Sequence, residues 1–488
     1  MTQARMPRPA ADRGRAATAP LPWLRERGMG ASVLVSAISS AFGVVLISAT
    51  AYIAAILSAD PYIGDSEMLA AVLSIMTVLL VGVAVYVAAI VTANTFSAVV
   101  AGRTRRIALL RLIGASARSQ RTEIARQGLV VGLIGAVVGL VAGTAIAAAG
   151  IALGNRLLGI ENVDFEVVQP ILLVPAVIVA LTTWAAAWAG SRRVLTVTPL
   201  AALGGSVEAS HDDTVRRRGR NGTAITLFVC GAGLLALGIA IGLVSPLGVV
   251  VAFVGGLLSF TGLALGATLV MPPVLRLVGR LFGKSATARL AAENALRYPE
   301  RSSRMAIGVV MGVTLVTMFA VALESVKAVL VASAGGEPPT EMITIIDTFS
   351  AIMMGLVAVS AVIAGVGLVN LLTIGVVQRR RELGLLRALG VSNGQVRRMV
   401  LLEAAHITIA ATATGLALGV AYGWAGAQSL LGSVSVPPLW LQPTLVLPAV
   451  PLWPVVAIIV ATTVLTLVAA VVPTRLATRV SPVEALAE

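Results

Sequence analysis

The stretch Gln378-Arg379-Arg380-Arg381-Glu382-Leu383-Gly384-Leu385-Leu386-Arg387-Ala388-Leu389-Gly390 decides how this chain is organised. Leu383, Leu386 and Leu389 stand three residues apart and share a helix face, Arg380, Arg381 and Arg387 occupy the rest of the turn, and Gly390 suits a C-cap. The pattern predicts a short amphipathic helix. A second short helix, Asn393 to Arg398, is expected to lead back into an apolar run. Stepping back 276 residues, Leu109-Leu110-Arg111-Leu112-Ile113-Gly114-Ala115-Ser116 matches Leu385 to Ser392. The same offset pairs Asn94 with Asn370, Arg103 with Arg379, Arg105 with Arg381, Arg121 with Arg397, Gly139 with Gly415 and Gly143 with Gly419, with no gap. At offset 283, Thr198-Pro199-Leu200-Ala201-Ala202-Leu203 matches Ser481-Pro482-Val483-Glu484-Ala485-Leu486. The chain is an internal repeat.

Around these segments the sequence is too apolar for a water-soluble domain. Of 488 residues 58% are hydrophobic and 12% charged, whereas soluble domains carry roughly 25% charged residues. Crossing a bilayer takes about 20 apolar residues as a helix. Runs that meet this requirement lie near 31–58, 68–97, 127–155, 170–190, 222–245, 247–275, 304–333, 345–377, 399–428 and 447–473. Ser245-Pro246-Leu247 marks a tight turn between the fifth and sixth. The basic start, Met1 to Arg27, runs into a stretch too long for a cleavable signal. The single cysteine, Cys230, excludes an internal disulfide and a cysteine metal cage.

A net charge of +14 would suggest nucleic acid in a soluble protein, but the distribution reads as membrane topology. The N-terminal tail, the loops after the second, fourth, sixth and eighth spans, and the C-terminal tail hold 34 of the 36 basic residues. The alternate loops carry Asp60, Asp65, Glu67, Glu161, Asp164, Glu166, Glu337 and Glu341. The positive-inside rule therefore puts both termini and every basic loop in the cytoplasm, with anionic lipid as an added contact and no nucleic acid. Repeats in parallel orientation need an even number of spans between them. The expected architecture is an all-α polytopic membrane protein of ten helices arranged 4+2+4. A basic tail (1–23) precedes a first four-helix repeat (24–204), and linkers 205–221 and 276–295 flank a transmembrane hairpin (222–275). The second repeat is 296–488.

The segment Arg380–Gly390, with Asn370 upstream and Glu403 downstream, resembles the signature of the FtsX-like (MacB-type) ABC transporter permeases. Ser481–Leu486 resembles that family's C-terminal motif, and Ala288-Arg289-Leu290-Ala291 through Asn294 and Arg297 to Arg304 its entry into the first helix of a unit. The resemblance implies that the insert between the second and third helices of each unit contacts a nucleotide-binding subunit. The docking residues would be Arg103, Arg105, Arg106, Leu109, Leu110, Arg111 and Gly114 in one copy. In the other they would be Arg379, Arg381, Glu382, Leu385, Leu386, Arg387 and Gly390. Asn94, Asn370 and Glu403 would couple and pack these segments. Glu382 is replaced by Arg106 and Glu403 by Gln127, so the first unit is the diverged one. Many family members carry a large extracellular domain between the first and second helices of a unit; here those loops are only 59–67 and 334–344.

Other residues carry less. Gly279 to Ser285 is one residue short of a phosphate-binding loop and follows a membrane helix. His211-Asp212-Asp213 sits in a polar linker, and no metal site is expected. Glu403 and His406 lie near the inner mouth of the ninth span, where a structural hydrogen bond outweighs a proton relay. Glu324 and Lys327, with Asp347, either line a substrate path or reach outward to headgroups. No catalytic set is present, so the chain is expected not to be an enzyme. It would hold no cofactor, with ATP and Mg bound by a separate ATPase, two copies per permease. The expected function is export of a lipid, drug or peptide across a bacterial plasma (inner) membrane. The alternative is a mechanotransmitting subunit through which nothing passes.

Overall fold

The computed structural model describes residues 29–58, 109–110, 112–158, 165–191, 218–281, 285–297, 299–333, 387–433 and 445–479, with Leu385 and seven positions between 78 and 90. Spans 345–377 and most of 68–97 lie outside the described residues, as do Asn94, Arg103, Arg105, Arg106, Arg111, Asp347, Asn370, Arg379, Arg381, Glu382, Leu386 and the linker bearing His211.

All described regular structure is helical. The first repeat contains α1 (Met29–Ser58), α2 (Ala117–Leu158) and α3 (Leu173–Gly190). The hairpin is α4 (Arg218–Gly242) and α5 (Gly248–Leu265), followed by α6 (Ala267–Gly279) and α7 (Ala286–Arg297). The second repeat contains α8 (Pro299–Ser333), α9 (Asn393–Leu431) and α10 (Leu452–Arg479). Among the described residues seven helices are long and apolar enough to cross a membrane, and each falls on an expected span. The chain is a multi-pass membrane protein.

Four details differ from expectation. No separate helix covers 393–398, because α9 runs unbroken from Asn393 to Leu431, 39 residues. Likewise α2 begins ten residues before its expected start and has 42 residues. At 1.5 Å per residue these helices are ~58 and ~63 Å long, against ~30 Å of bilayer hydrocarbon. Both therefore project well beyond the apolar slab, each from a start three residues past the glycine, Gly114 or Gly390, of its segment. The span 247–275 is also interrupted: α5 ends at Gly266, and α6 carries Pro272 and Pro273. The linker 276–295 is largely helical, for α7 buries Ala291 against Val396, Met399 and Val400 of α9.

Small residues set the helix contacts. Along α2, a Cβ added at Gly143 would lie 2.8 Å from the Ala41 carbonyl oxygen and 2.9 Å from Val44 Cβ of α1. Along α9, a Cβ at Gly415 would lie 3.0 Å from the Val310 oxygen and 2.7 Å from Val313 Cβ of α8. Glycine permits this approach, which supplies packing where lipid removes the hydrophobic drive between helices. The partners correspond one for one. Ala37, Ser40, Ala41 and Val44 in the first repeat become Val310, Val313, Thr314 and Thr317 in the second, an offset of 273. The third helices keep 276, so three extra residues fall between α8 and Asn370. The hairpin is antiparallel, with Gly231 against Ser259 and Gly238 against Ala252. Its turn is closed by the Gly248 amide donating to the Ser245 carbonyl at 3.1 Å.

Candidate functional site

Two regions combine the predicted residues with a geometry suited to binding. The first is the pair of turns at Gly114 and Gly390, in the segments expected to dock an ATPase. Gly114 and Gly390 have φ of 101° and 98°, the left-handed region where only glycine is unstrained. Each ends a helical turn, with the Ala115 amide donating to the Leu110 carbonyl at 2.9 Å and the Leu389 amide to the Leu385 carbonyl at 2.9 Å. Two residues on, a serine caps the long helix. Ser116 Oγ accepts from the Ser119 amide at 3.1 Å. Ser392 forms a full capping box: its Oγ accepts from the Gln395 amide at 3.2 Å, and Gln395 Oε1 accepts from the Ser392 amide at 2.9 Å. The capped turn therefore fixes the direction in which the long helix leaves the glycine.

What the turn presents is apolar. Leu109 is 50% exposed and Ile113 81%; their counterparts Leu385 and Leu389 are 52% and 74% exposed. Matching apolar pairs stand outside the core at both repeats, beyond the membrane span, where water would otherwise solvate them. Exposed apolar residues grouped in this way mark an interaction surface.

Behind the second turn the packing is denser. Glu403 is buried, and His406 is fully buried with Nε2 2.7 Å from the Leu275 carbonyl oxygen of α6. Both stand on α9, within the ninth expected span, but the sequence analysis did not identify this partner, which lies at the end of the sixth expected span. The equivalent positions in the first repeat are Gln127, whose amide donates to Glu123 at 3.2 Å on the surface, and Val130. Arg121 in turn lies 4.0 Å above the Trp188 ring of α3.

The second region is an apolar cavity of 220 Å³. Its walls come from the hairpin (Val249, Phe253, Leu257), α8 (Met311, Leu315, Met318, Phe319) and α9 (Gly426, Leu430). The first repeat contributes Leu79, Val83 and Tyr86. Glu324 and Lys327 lie on the cavity-bearing stretch of α8, half-buried, but are not among its lining residues. Sequence reasoning missed this cavity, since Leu, Phe and Met at helical spacing look the same whether they fill a core or line a hole. The aromatics at one end form hydrogen bonds through their hydroxyls: Tyr86 with Thr261 at 2.7 Å and the Leu257 carbonyl at 3.1 Å, Tyr422 with Ser259 at 2.6 Å. Phe260 stands between the two tyrosines with ring centroids 6.3 and 6.5 Å away, edge to face.

A multi-pass helical protein with two equivalent helix units and a paired extramembrane turn is built as a permease. Residues 78–199 and 352–482, together just over half of the chain, match the FtsX-like permease C-terminal family. The chain belongs to the FtsX-like permease family, with two copies of the domain. This is a permease domain and carries no catalytic chemistry of its own. Among curated proteins, it is 32% identical over 143 residues to the macrolide export ATP-binding/permease protein MacB of Rhodopirellula baltica, 29% of this chain and 19% of that protein. It is 32% identical over 90 residues to the pyoverdine export ATP-binding/permease protein PvdT of Pseudomonas aeruginosa, 18% of this chain and 13% of that protein. Against the ABC transporter permease YtrF of Bacillus subtilis the identity is 37% over 73 residues, 14% and 16% of the two chains. The chain spans less than a fifth of the length of each of these relatives.

Proposed function

We propose that this chain is the membrane-spanning subunit of an ABC-type exporter that docks a separate ATPase on Leu109–Gly114 and Leu385–Gly390. The observation that carries the reading is the twin exposed turn, with the same apolar positions and the same left-handed glycine in both repeats. Two ATPase subunits bind, one per turn, and they alone hold ATP and Mg. The arginines Arg103, Arg105, Arg106, Arg111, Arg379, Arg381 and Arg387, with Glu382, flank the apolar contact. Asn94 and Asn370 brace the same segments from the neighbouring helices. In the 4+2+4 topology both termini and both turns are cytoplasmic, in the inner membrane of a bacterium, as the basic loops indicate.

Export of an amphipathic or hydrophobic substrate is supported by the export functions in the names of two of the relatives above. It is also supported by a membrane-embedded cavity with apolar walls. Glu324 and Lys327, on the cavity-bearing stretch of α8 without lining the cavity, and Asp347 would belong to the outer part of the route. A second reading, transmission of ATPase-driven motion with nothing transported, draws on the unbroken α9, which carries the docking cap at one end and cavity residues toward the other. Reconstitution with the ATPase separates the two. Export predicts ATP turnover stimulated at least twofold by some member of a lipid, drug and peptide panel, with accumulation of that compound in inverted vesicles. Turnover stimulated by none of them would overturn export.

A further inference from the structure

The end of the cavity farthest from the Gly390 turn is crossed by the connection into α10. The glycine contacts set the levels. α8 and α9 run parallel, with Gly419 against Thr314 and Thr317, and Gly423 against Met318 and Val321. Continued along both helices, this register puts Ser325 level with Gln428 and Val329 level with Leu431. At that level the segment 445–450 passes from α9 to α8. Trp424 Nε1 donates to the Val446 carbonyl at 2.8 Å, the Val446 amide donates to Gln428 Oε1 at 2.7 Å, and the Ala449 amide donates to Ser325 Oγ at 3.1 Å. Val446 is buried in a cluster with Val329, Ala427 and Leu431, against which Val326 and Leu430 pack. Val326, Ala427 and Leu430 are also wall residues of the cavity. The strap thus backs the cavity wall at this end, and three side chains of α8 and α9 hold it there.

Resting on the exporter topology above, we propose that 445–450 is a latched strap that gates the outer end of the cavity: it lifts off Ser325, Trp424 and Gln428 to release an apolar cargo and closes again behind it. Lifting breaks three hydrogen bonds and withdraws Val446, while α8 and α9 keep their glycine contacts. Every polar group set free meets water as the strap leaves, so no buried donor or acceptor is stranded. The strap is suited to move before its neighbours. Pro448 and Pro451 lack an amide hydrogen and keep it out of a helix, so its backbone is held by side chains and not by a ladder. Segments held by few bonds open at lower free energy than the helices beneath them. The latch also belongs to one repeat. At the 276 offset Trp424 and Gln428 become Ala148 and Ala152 in α2, whose methyl groups can bond no strap. The wall residues of the cavity include none from α1, α2 or α3, so the corresponding approach to α3 has no cavity to close.

The test uses the full-length permease alone in nanodiscs, without ATPase or cargo. Failure of the exporter reading would appear in the ATP turnover of the reconstituted complex, not in this readout. In a Cys230→Ser background, Gly426→Cys puts a single thiol in the cavity wall, where nothing lies within 4 Å of an added Cβ. A small charged methanethiosulfonate, which does not enter lipid, reports by mass spectrometry how fast that thiol is reached from water. Ser325→Ala combined with Trp424→Phe removes two latch bonds with little change of bulk, and is expected to raise the rate at least tenfold. Ser325→Ala alone is expected to raise it at least threefold, which keeps the test decisive should the double variant fail to fold. The control Leu237→Phe, on the exposed face of α4, leaves the rate unchanged. Hydrogen exchange without any substitution is expected to be at least tenfold faster over 445–451 than over 424–431 of α9. The gate is overturned if the latch variants, eluting in gel filtration as the wild type does, label no faster than the intact strap. It is equally overturned if the strap exchanges no faster than the stretch of α9 beneath it.

Discussion

The two repeats share a frame and differ in what holds it. In both, the third helix lies in parallel against the first on glycines one turn apart, with partner residues related by a constant offset. In both, Thr183 and its counterpart Thr466 bond their own preceding turn, at 2.6 Å to Val179 and Thr462. The differences lie in the lateral supports. In the second repeat Thr466 also pairs with Thr408 at 3.0 Å, whereas in the first Gly132 takes the Thr408 position and Thr183 meets Ser36 of α1 at 3.4 Å. His406 ties α9 to α6, α7 packs beside it, and the segment 445–450 is pinned by Gln428 and Ser325. In the first repeat α2 turns much of its length outward, with Leu133, Val137, Val138, Val141, Ile146 and Leu153 exposed. Duplication thus kept the close helix contact and the docking turn. The third helix of one copy is built into the hairpin and the cavity, while that of the other is largely exposed.

This contrast can be broken by substitution. The largest effect belongs to the shared contact. Gly419→Leu and Gly143→Leu force a side chain onto backbone, and each is expected to cost about 3 kcal/mol, the upper end of overpacking. Thermal unfolding in detergent reads the loss, and tolerance of one but not the other would end the equivalence of the repeats. His406→Leu leaves the Leu275 carbonyl buried without its partner and is expected to cost about 2 kcal/mol. At the corresponding position of the first repeat, Val130→Leu costs less than half as much. The smallest effects are at the caps: Ser392→Ala destabilises by about 1 kcal/mol and Ser116→Ala by about 0.5, within the usual range for caps. Hydrogen exchange at Gln395 and Ser119 would register the difference, and a larger loss at Ser116 would reverse the assigned order.

Much of this was legible before the fold was known, for physical reasons. Apolar runs of membrane length and the asymmetry of arginine locate the spans because lipid imposes both. The left-handed glycines were legible because Gly114 and Gly390 recur at one offset after a leucine face. The continuity of α9 was not legible. Its first turns, Asn393-Gly394-Gln395-Val396-Arg397-Arg398, are polar because they stand outside the membrane, and the polarity read as a break. The helix α7 was hidden for a similar reason, since its buried face is alanine (Ala288, Ala291, Ala295) rather than leucine. The cavity left no trace, because an empty volume depends on which side chains fail to meet.

The central claim is that the twin turns hold the ATPase. Ile113→Arg and Leu389→Arg change only exposed side chains on those turns, and Leu447→Arg makes the same change at the opposite end of the molecule. Purified with a tagged permease from membranes that co-express the ATPase, the wild type and the Leu447 variant are expected to retain it equally. Each turn variant should lose it at least tenfold, the Leu389 variant the more completely. Retention of the ATPase by both turn variants at the wild-type level would contradict the account.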